Sequence, residues 1–310
     1  MLPVHTILFP TDLSEESTKV FPLACGLAHD CGARVVVLYV MPPPFGPDVI
    51  EARHRPEEYY RGPKTALHRL QPPCGNINVE HRLAEGEAAR VIVNTAAEVE
   101  AGLIFMSTHG RTGASRVLFG SVATEVLRHA TCPVLTARLP LPPAETSGVR
   151  LEPADFATTG TDGGVMWPIK SILHPTDFSE SSAKAFEAAR ALAADHHAKL
   201  IVLHVTSVPD LAYKGYGAPG APLEEEEYID KARRDLASLT SPSGIVLERL
   251  LEEGDAASQI LRVANELKPD LVVMGTHGRS GLRHVLLGSV AEQIVRKATC
   301  PVLTVRAPAE

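Results

Sequence analysis

Long apolar runs, paired cysteines and a basic excess are all missing from this sequence. No apolar run approaches the roughly 20 residues that a membrane helix needs. The five cysteines contain no Cys-x-x-Cys pair and are odd in number, which argues against a disulfide framework and a zinc site. The net charge of −7 leaves no basic excess to displace counterions from nucleic acid. The N-terminal MLPVHTILFP lacks the basic segment and cleavage site of a secretory signal. We therefore expect a cytoplasmic protein with no membrane partner and no nucleic-acid partner.

A glycine-containing loop occurs twice in the sequence. It reads MSTHGRTGASRVLFGSV from Met106 and MGTHGRSGLRHVLLGSV from Met274. Its glycines permit a close approach of the backbone to another group, and Gly-Ser opens a helix whose free N–H groups suit an anion. The loop therefore predicts a phosphate site in each half of the chain.

The repeat extends well beyond this loop. The paired segments are 7–14 with 172–179, 34–40 with 199–205, 85–89 with 253–257, and 132–136 with 300–304. Because each half is long enough to bury its own core, the repeat indicates a domain duplication rather than a solenoid. We expect one domain at residues 1–138 and a second at 168–310. Residues 139–167, rich in proline, glycine, threonine and alanine, are the expected linker.

Each half alternates short apolar strands with amphipathic helices. In the second half the expected strands are 169–174, 199–205, 245–250, 270–274 and 302–305. The expected helices are 183–194, 223–239, 255–267 and 285–297. This alternation predicts an α/β fold with a mostly parallel, five-stranded sheet and helices on both faces.

The first half repeats this plan with two interruptions. Pro22 lies inside the first helix, where we expect a kink or a late helix start. Pro56, Gly62 and Pro63 interrupt the stretch where the second helix is expected.

The strand-end Pro-Thr-Asp, the Gly-x2-Gly-x9-Gly-Ser loop and the closing Cys-Pro-Val-Leu strand together resemble a tandem universal stress protein. The resemblance covers nearly all of both halves and leaves out the linker. It implies two tandem adenine-nucleotide alpha-hydrolase-like domains, and its nucleotide-binding members hold ATP on a five-stranded parallel sheet. In the second half the resemblance implies a site around adenosine and phosphates made by Pro175, Thr176, Asp177, Val205, Met274, Gly275, Gly278, Arg279, Gly288, Ser289 and Val290.

The resemblance implies a matching site in the first half, made by Pro10, Thr11, Asp12, Val40, Met106, Ser107, Gly110, Arg111, Gly120, Ser121 and Val122. Independently, ligands of open α/β sheets bind beyond the carboxyl ends of the strands, which these residues follow. Ser107 departs from the pattern, because it replaces Gly275. Its side chain either crowds the ligand or supplies another donor, so we expect the second half to dominate binding.

Several of these residues have alternative roles. Asp177 is a candidate acceptor for a ribose hydroxyl or the start of an Asx-turn into Ser179. Ser289 is interpreted as a helix N-cap that also suits phosphate contact. Gly275, Gly278 and Gly288 alternatively have no ligand role and only allow the backbone to turn.

The charged and aromatic groups of the loop also leave alternatives open. His109 and His277 are candidate general bases, or imidazoles that brace the loop or face phosphate. Arg111 and Arg279 either screen phosphate charge or are solvated. Cys132 and Cys300 are interpreted as small buried residues at the start of a strand.

These features favour a nucleotide-dependent stress-response protein that binds ATP, alone or with Mg²⁺, through its second half, with the first half as a second candidate. The absence of Gly-x4-Gly-Lys-Ser/Thr argues against a P-loop enzyme. A slow ATPase or nucleotidyl-transfer enzyme and an interaction module without nucleotide are the alternatives. The apolar closing strands further predict an intramolecular pseudo-dimer of the two halves, with a further homo-oligomer also compatible.

Overall fold

A computed structural model describes residues 4–44, 48, 52, 54–73, 77–108, 120–138, 158–159, 165–206, 225–241, 244–278 and 287–307. The chain divides into two compact units, Pro3–Pro168 and, with the first two residues, Ile169–Glu310. Each unit is described by itself below. Within the described ranges, no helix is long and apolar enough to cross a bilayer.

The first unit contains a five-stranded sheet and a separate two-stranded ribbon. Its strands are β1 (Thr6–Thr11), β2 (Arg34–Met41), β3 (Val79–Glu85), β4 (Leu103–Ser107), β5 (Val134–Ala137), β6 (Thr158–Thr159) and β7 (Val165–Met166). Its helices are α1 (Glu15–Cys31), α2 (Pro56–His68), α3 (Ala88–Glu98) and α4 (Ser121–His129). The sheet order is β5-β4-β1-β2-β3 with every pair parallel, and β6 pairs antiparallel with β7.

The second unit repeats the sheet. Its strands are β8 (Ser171–Thr176), β9 (Lys199–Thr206), β10 (Leu247–Glu253), β11 (Leu271–Gly275) and β12 (Val302–Val305). Its helices are α5 (Glu180–His196), α6 (Glu225–Ser238), α7 (Ala256–Leu267) and α8 (Ser289–Lys297). The order is β10-β9-β8-β11-β12, again with every pair parallel.

The burial of the central strands explains why they are apolar along their whole length. All six residues of β1 and five of the six residues of β8 are buried, so both faces of each sheet are covered. The expected α/β fold class is confirmed. In each unit the chain passes from the central strand to the two strands on one side of it, and then crosses to the two strands on the other side. The order reverses between β1 and β4 in the first unit and between β8 and β11 in the second. Such a reversal leaves a crevice at the carboxyl ends of the two strands.

Three helix expectations need correction. Helix α1 starts at Glu15 and continues through Pro22, because Ser14 caps it by accepting a hydrogen bond from the Ser17 N–H. The late start was therefore wrong. Helix α2 begins at Pro56, a favourable first position for proline, and continues through Pro63.

The third correction concerns helix α8. It starts at Ser289 rather than at Val285, and Leu287 and Gly288 precede it. Other helix and strand limits also shift by a few residues; α5, expected at 183–194, runs from Glu180 to His196, and β10 runs to Glu253. Helix and strand ends are where a local pattern is least informative, since capping contacts decide them.

The end of the expected linker belongs to the core of the first unit. The ring of Trp167 is 4% exposed and stacks on Phe105, with ring centroids 6.2 Å apart. Phe105 in turn contacts Phe9, which contacts Phe21 on α1. Strand β7 also packs against α1. The expected linker residues 139–157 and 160–164 lie outside the described residues.

The four cysteines in the described part of the chain, Cys25, Cys31, Cys132 and Cys300, form no disulfide bond with one another. Cys132 and Cys300 are only partly buried and precede their strands by two residues. Burial nevertheless raises the pKa of Cys132 to about 11 and that of Cys300 to about 12. Both thiols therefore stay protonated and weakly nucleophilic near neutral pH.

His174 occupies the core position of the second unit that Phe9 occupies in the first. Its side chain is fully buried, its Nδ1–H donates to the Val273 carbonyl at 2.8 Å, and its Nε2 has no hydrogen-bond partner among the described residues. Burial lowers the pKa of His174 to about 4 from an ordinary value of 6.5. The imidazole is therefore neutral in the folded protein near pH 7.

We predict that His174 makes stability fall as the pH falls from 6.5 towards 4. In this window the unfolded chain takes up a proton on His174 that the folded chain does not. The contribution of the neutral imidazole to the free energy of unfolding is therefore complete above pH 6.5 and is lost as the pH falls towards 4. Between about pH 7 and pH 4.5, wild type should lose roughly 2–3 kcal/mol more unfolding free energy than His174→Phe. Urea unfolding followed by circular dichroism tests this, and equal losses in the two proteins would contradict it.

The closing strands β5 and β12 each have one neighbour within their own unit, and all their residues are buried. Apolar strands at the edge of a sheet tend to associate, and the expectation that β5 and β12 cover each other stays a prediction. A fragment of residues 168–310 should accordingly form a homodimer. Sedimentation equilibrium measures this, and a stable monomer at tens of micromolar would contradict the pseudo-dimer.

Candidate functional site

The second unit has a cavity of about 150 Å³ at the crevice between the carboxyl ends of β8 and β11. It brings together ten of the predicted site residues, namely Pro175, Thr176, Asp177, Val205, Met274, Gly275, Gly278, Gly288, Ser289 and Val290. Arg279 lies outside the described residues. Residues that are far apart in the sequence thus line one pocket.

A strained turn after β8 forms one wall of this pocket. Thr176 Oγ1 accepts the Phe178 N–H at 3.1 Å and the Ser182 hydroxyl at 2.8 Å. Phe178 adopts a left-handed φ of 59°, which is unfavourable for a bulky residue. The hydrogen bonds of Thr176 therefore hold a turn that an isolated peptide would avoid.

Asp177 forms the Asx-turn that was one of its two expected roles. Its Oδ1 accepts the Ser179 N–H at 3.0 Å. Its Oδ2 lies beside Gly278, where an added Cβ would stand only 2.7 Å from this oxygen. The turn uses Oδ1, so it does not by itself exclude a ligand contact on the other side of the carboxylate.

The three glycines meet different steric demands. A Cβ on Gly275 would lie 2.6 Å from the Ser181 hydroxyl and 2.9 Å from the Ser181 backbone carbon, so this glycine lets α5 approach β11. Gly278 makes room for Asp177. A Cβ on Gly288 would lie 3.1 Å from the Thr276 carbonyl oxygen, which accepts the Gly288 N–H at 2.8 Å. Tight protein packing accounts for all three positions.

Helix α8 points its N-terminus into the pocket. Its N-cap is Gly288, which offers no side-chain acceptor, and Ser289 is the first helical residue. The expectation that Ser289 is the N-cap was therefore wrong. A glycine cap leaves the N–H groups of the first turn without a side-chain partner, and these groups with the helix dipole favour an anion.

His277 braces the loop that follows β11. Its Nδ1 lies 2.8 Å from Oγ1 of the buried Thr276, and the residue also lines the pocket. This contact matches the bracing role that was one of the alternatives for this histidine. Its counterpart His109 lies outside the described residues.

An apolar wall completes the pocket and was missed in the sequence interpretation. Leu203 on β9 and Ala256 and Ile260 on α7 line it. The signal that could have found the α7 residues is the repeated Glu-Gly-Asp/Glu-Ala-Ala, which places an alanine at the start of the same helix in both halves.

The first unit has a second cavity, of about 260 Å³, at the matching crevice. It brings together nine of the predicted site residues, namely Pro10, Thr11, Asp12, Val40, Met106, Ser107, Gly120, Ser121 and Val122. Gly110 and Arg111 lie outside the described residues. The lining residues form pairs wherever both counterparts are described. Each pair is identical, except that Ser107 replaces Gly275.

The turn of the first unit also matches. Thr11 Oγ1 accepts the Leu13 N–H at 3.0 Å and the Ser17 hydroxyl at 2.8 Å, and Leu13 has a φ of 61°. Asp12 Oδ1 accepts the Ser14 N–H at 3.0 Å. Helix α4 likewise starts at Ser121 after a glycine cap. Ser107 lines the larger of the two cavities, and its two expected roles, crowding the ligand or supplying another donor, stay predictions.

Comparisons with known proteins agree with this architecture. The model of the universal stress protein family matches residues 3–138 and 168–306. A universal stress protein of Mycolicibacterium smegmatis is 25% identical over 97% of both chains, and MJ0531 of Methanocaldococcus jannaschii is 35% identical over 45% of this chain and 83% of its own. The crystal structure of a universal stress protein from Archaeoglobus fulgidus has a TM-score of 0.62 and 21% identity, covering 99% of this chain and 98% of its own.

The A. fulgidus structure supports the fold alone at this level of identity. The family model, in contrast, matches both halves and nearly all of the chain. The chain therefore belongs to the universal stress protein family, as a member with two family domains in tandem.

Proposed function

We propose that this chain is a nucleotide-dependent stress-response protein that binds ATP in the second-unit pocket, with a second adenine-nucleotide site in the first unit. The observation that carries the proposal is the repetition of one pocket lining, which differs at a single described position between the two units. The family supports a stress-response role, and the nucleotide is our inference from the chemistry of the lining.

The base would occupy the apolar part of the pocket. Leu203, Val205 and Ile260 present aliphatic surface from β9 and α7, and Met274 adds a polarisable side chain. A planar purine gains from burial against such surface, and the backbone of Val205 offers polar groups to its edge. Adenine therefore fits the wall formed by these residues.

The ribose and the phosphates would follow along the crevice. Asp177 repels phosphate, so its carboxylate belongs beside the ribose hydroxyls, which can donate to it. The N-terminus of α8, with its glycine cap, suits the phosphates because it supplies N–H donors and the positive end of a helix dipole. In this arrangement each polar part of the nucleotide meets a group of suitable charge.

The identity of the bound molecule can be tested directly. Mass spectrometry of small molecules released from freshly purified protein should detect an adenine nucleotide. Calorimetry with ATP should then show saturable binding, and single-turnover measurements with radiolabelled ATP separate binding from slow hydrolysis. Absence of any nucleotide and of ATP binding would favour an interaction module without nucleotide.

Replacing Gly288 by valine should abolish most binding at the second site, because a branched side chain would occupy the proposed phosphate position and press on the Thr276 carbonyl. Calorimetry should show the stoichiometry fall by about one nucleotide per chain. Gly62→Val on exposed α2, where a Cβ would meet no atom within 4 Å, is the control. If Gly120→Val abolishes all binding while Gly288→Val changes neither affinity nor stoichiometry, our assignment to the second half is wrong.

Changes at Asp177 should separate its ligand role from its turn role. Asp177→Ala should weaken ATP binding by about 1–3 kcal/mol, the cost of losing a hydrogen bond to a charged group. Asp177→Asn keeps an oxygen that can accept the Ser179 N–H, so the melting temperature without ligand should stay near that of wild type while affinity for ATP falls. A large loss of melting temperature with unchanged affinity would instead assign Asp177 to the turn alone.

A further inference from the structure

The two pockets have linings that differ at one described position, and their volumes differ. The cavity is about 150 Å³ in the second unit and about 260 Å³ in the first. The paired lining residues that are described in both units differ only at Gly275 and Ser107. Among the described lining residues, this pair is therefore the candidate cause of the difference in volume.

Gly275 allows the first turn of α5 to rest on the end of β11. Ser181 in that turn is only 6% exposed, and its hydroxyl lies 3.4 Å from the Val305 carbonyl oxygen at the end of β12. A Cβ at position 275 would lie 2.9 Å from the Ser181 backbone carbon and 3.0 Å from its carbonyl oxygen. Carbon atoms do not approach backbone so closely, so this packing requires glycine.

The first unit cannot pack in this way. Ser107 carries the Cβ that Gly275 lacks, and the counterpart of Ser181 is Glu16, whose side chain is exposed. A Cβ at position 107 leaves no room for the contact that Gly275 makes with Ser181, so we expect a first turn of α1 that stands further from the end of β4 than α5 stands from the end of β11.

The same helix turn lines the pocket on its other side. Ser182 donates to Thr176 Oγ1 at 2.8 Å, and Ser17 donates to Thr11 Oγ1 at the same distance. These bonds tie each helix equally to the central strand of its sheet. What differs is the approach of the helix to the neighbouring strand, across the crevice where the pocket lies.

We propose that the residue at positions 107 and 275 sets the width of each pocket through the first turn of the following helix, so that the two sites of one chain differ in ligand preference. The second site accepts unmodified adenine nucleotides and rejects those with a bulky ribose substituent, whereas the first site accepts both. This rests on the proposed nucleotide binding. Gly275 and Ser107 act here as positioning residues, not as phosphate contacts.

The test compares ATP with its ribose-linked N-methylanthraniloyl derivative at each site in isolation. Gly120→Val isolates the second site, and Gly288→Val isolates the first. The ratio of the Kd of the derivative to that of ATP should be roughly tenfold or more higher at the second site, as expected for steric exclusion. Fluorescence titration measures the derivative, and calorimetry measures ATP.

Reciprocal substitutions identify the cause. Gly275→Ser should lower the ratio at the second site, and Ser107→Gly with Glu16→Ser should raise it at the first. Gly275→Ala, which adds only the Cβ, serves if Gly275→Ser is too unstable, and Ser107→Gly introduces no steric conflict. Equal ratios at the two sites, or ratios that none of these substitutions changes, would overturn the proposal.

A measurement without ligand separates this proposal from the proposed function. In the free protein, amide hydrogen exchange in the first turn of α5 should accelerate in Gly275→Ala, and that of α1 should slow in Ser107→Gly with Glu16→Ser. Unchanged exchange in both variants would contradict the packing role even if ATP binds. If exchange responds as expected but wild type binds no ATP, the proposed function is wrong, and the ligand preference falls with it.

Discussion

The threonine that ends the first strand of each unit holds together the turn, the helix and the pocket wall. Thr11 and Thr176 are buried, and each Oγ1 accepts one backbone N–H from the turn and one serine hydroxyl from the helix. The first bond holds a bulky residue in a left-handed conformation that costs about 1–3 kcal/mol. The second fixes the start of the helix. Loss of this one hydroxyl would leave a buried serine hydroxyl and a half-buried backbone N–H without their acceptor, so the turn and the helix depend on it together.

Both units keep this polar frame and differ in the packing around it. The first unit fills the space beside its central strand with Phe9, Phe21 and Phe105, and Trp167, at the end of the expected linker, stacks on Phe105. The second unit places His174 at the position of Phe9. Protein interiors are close-packed, so a change of residue at such a position alters the stability of one unit without altering its hydrogen-bonded frame. The two units can therefore respond differently to pH while presenting the same pocket chemistry.

Much of the fold and of the pocket could be predicted because it is encoded in local pattern and in repetition. Strands that are buried on both faces can be recognised in the sequence as continuous apolar runs. The repeated Thr-Asp and Gly-Ser segments identified residues that meet at the crevice. The prolines of α1 and α2 misled the prediction, since Pro22 and Pro63 lie inside helices that capping and tertiary packing maintain. The contributions of Ala256 and Ile260 were missed, because helix residues that face a cavity look the same in sequence as those that face a sheet.

The sequence by itself determined that the chain is duplicated, in which order strands and helices follow one another along it, and which residue types stand at the strand ends. Only the tertiary structure decided why those types are needed. Gly275 and Gly278 looked like positions where backbone meets a ligand, but the groups that a Cβ would meet there are Ser181 and Asp177 of the same chain. The reason is physical. A glycine in the sequence indicates a position where a Cβ can have no room, but only the folded chain shows which atom lies where the Cβ would be.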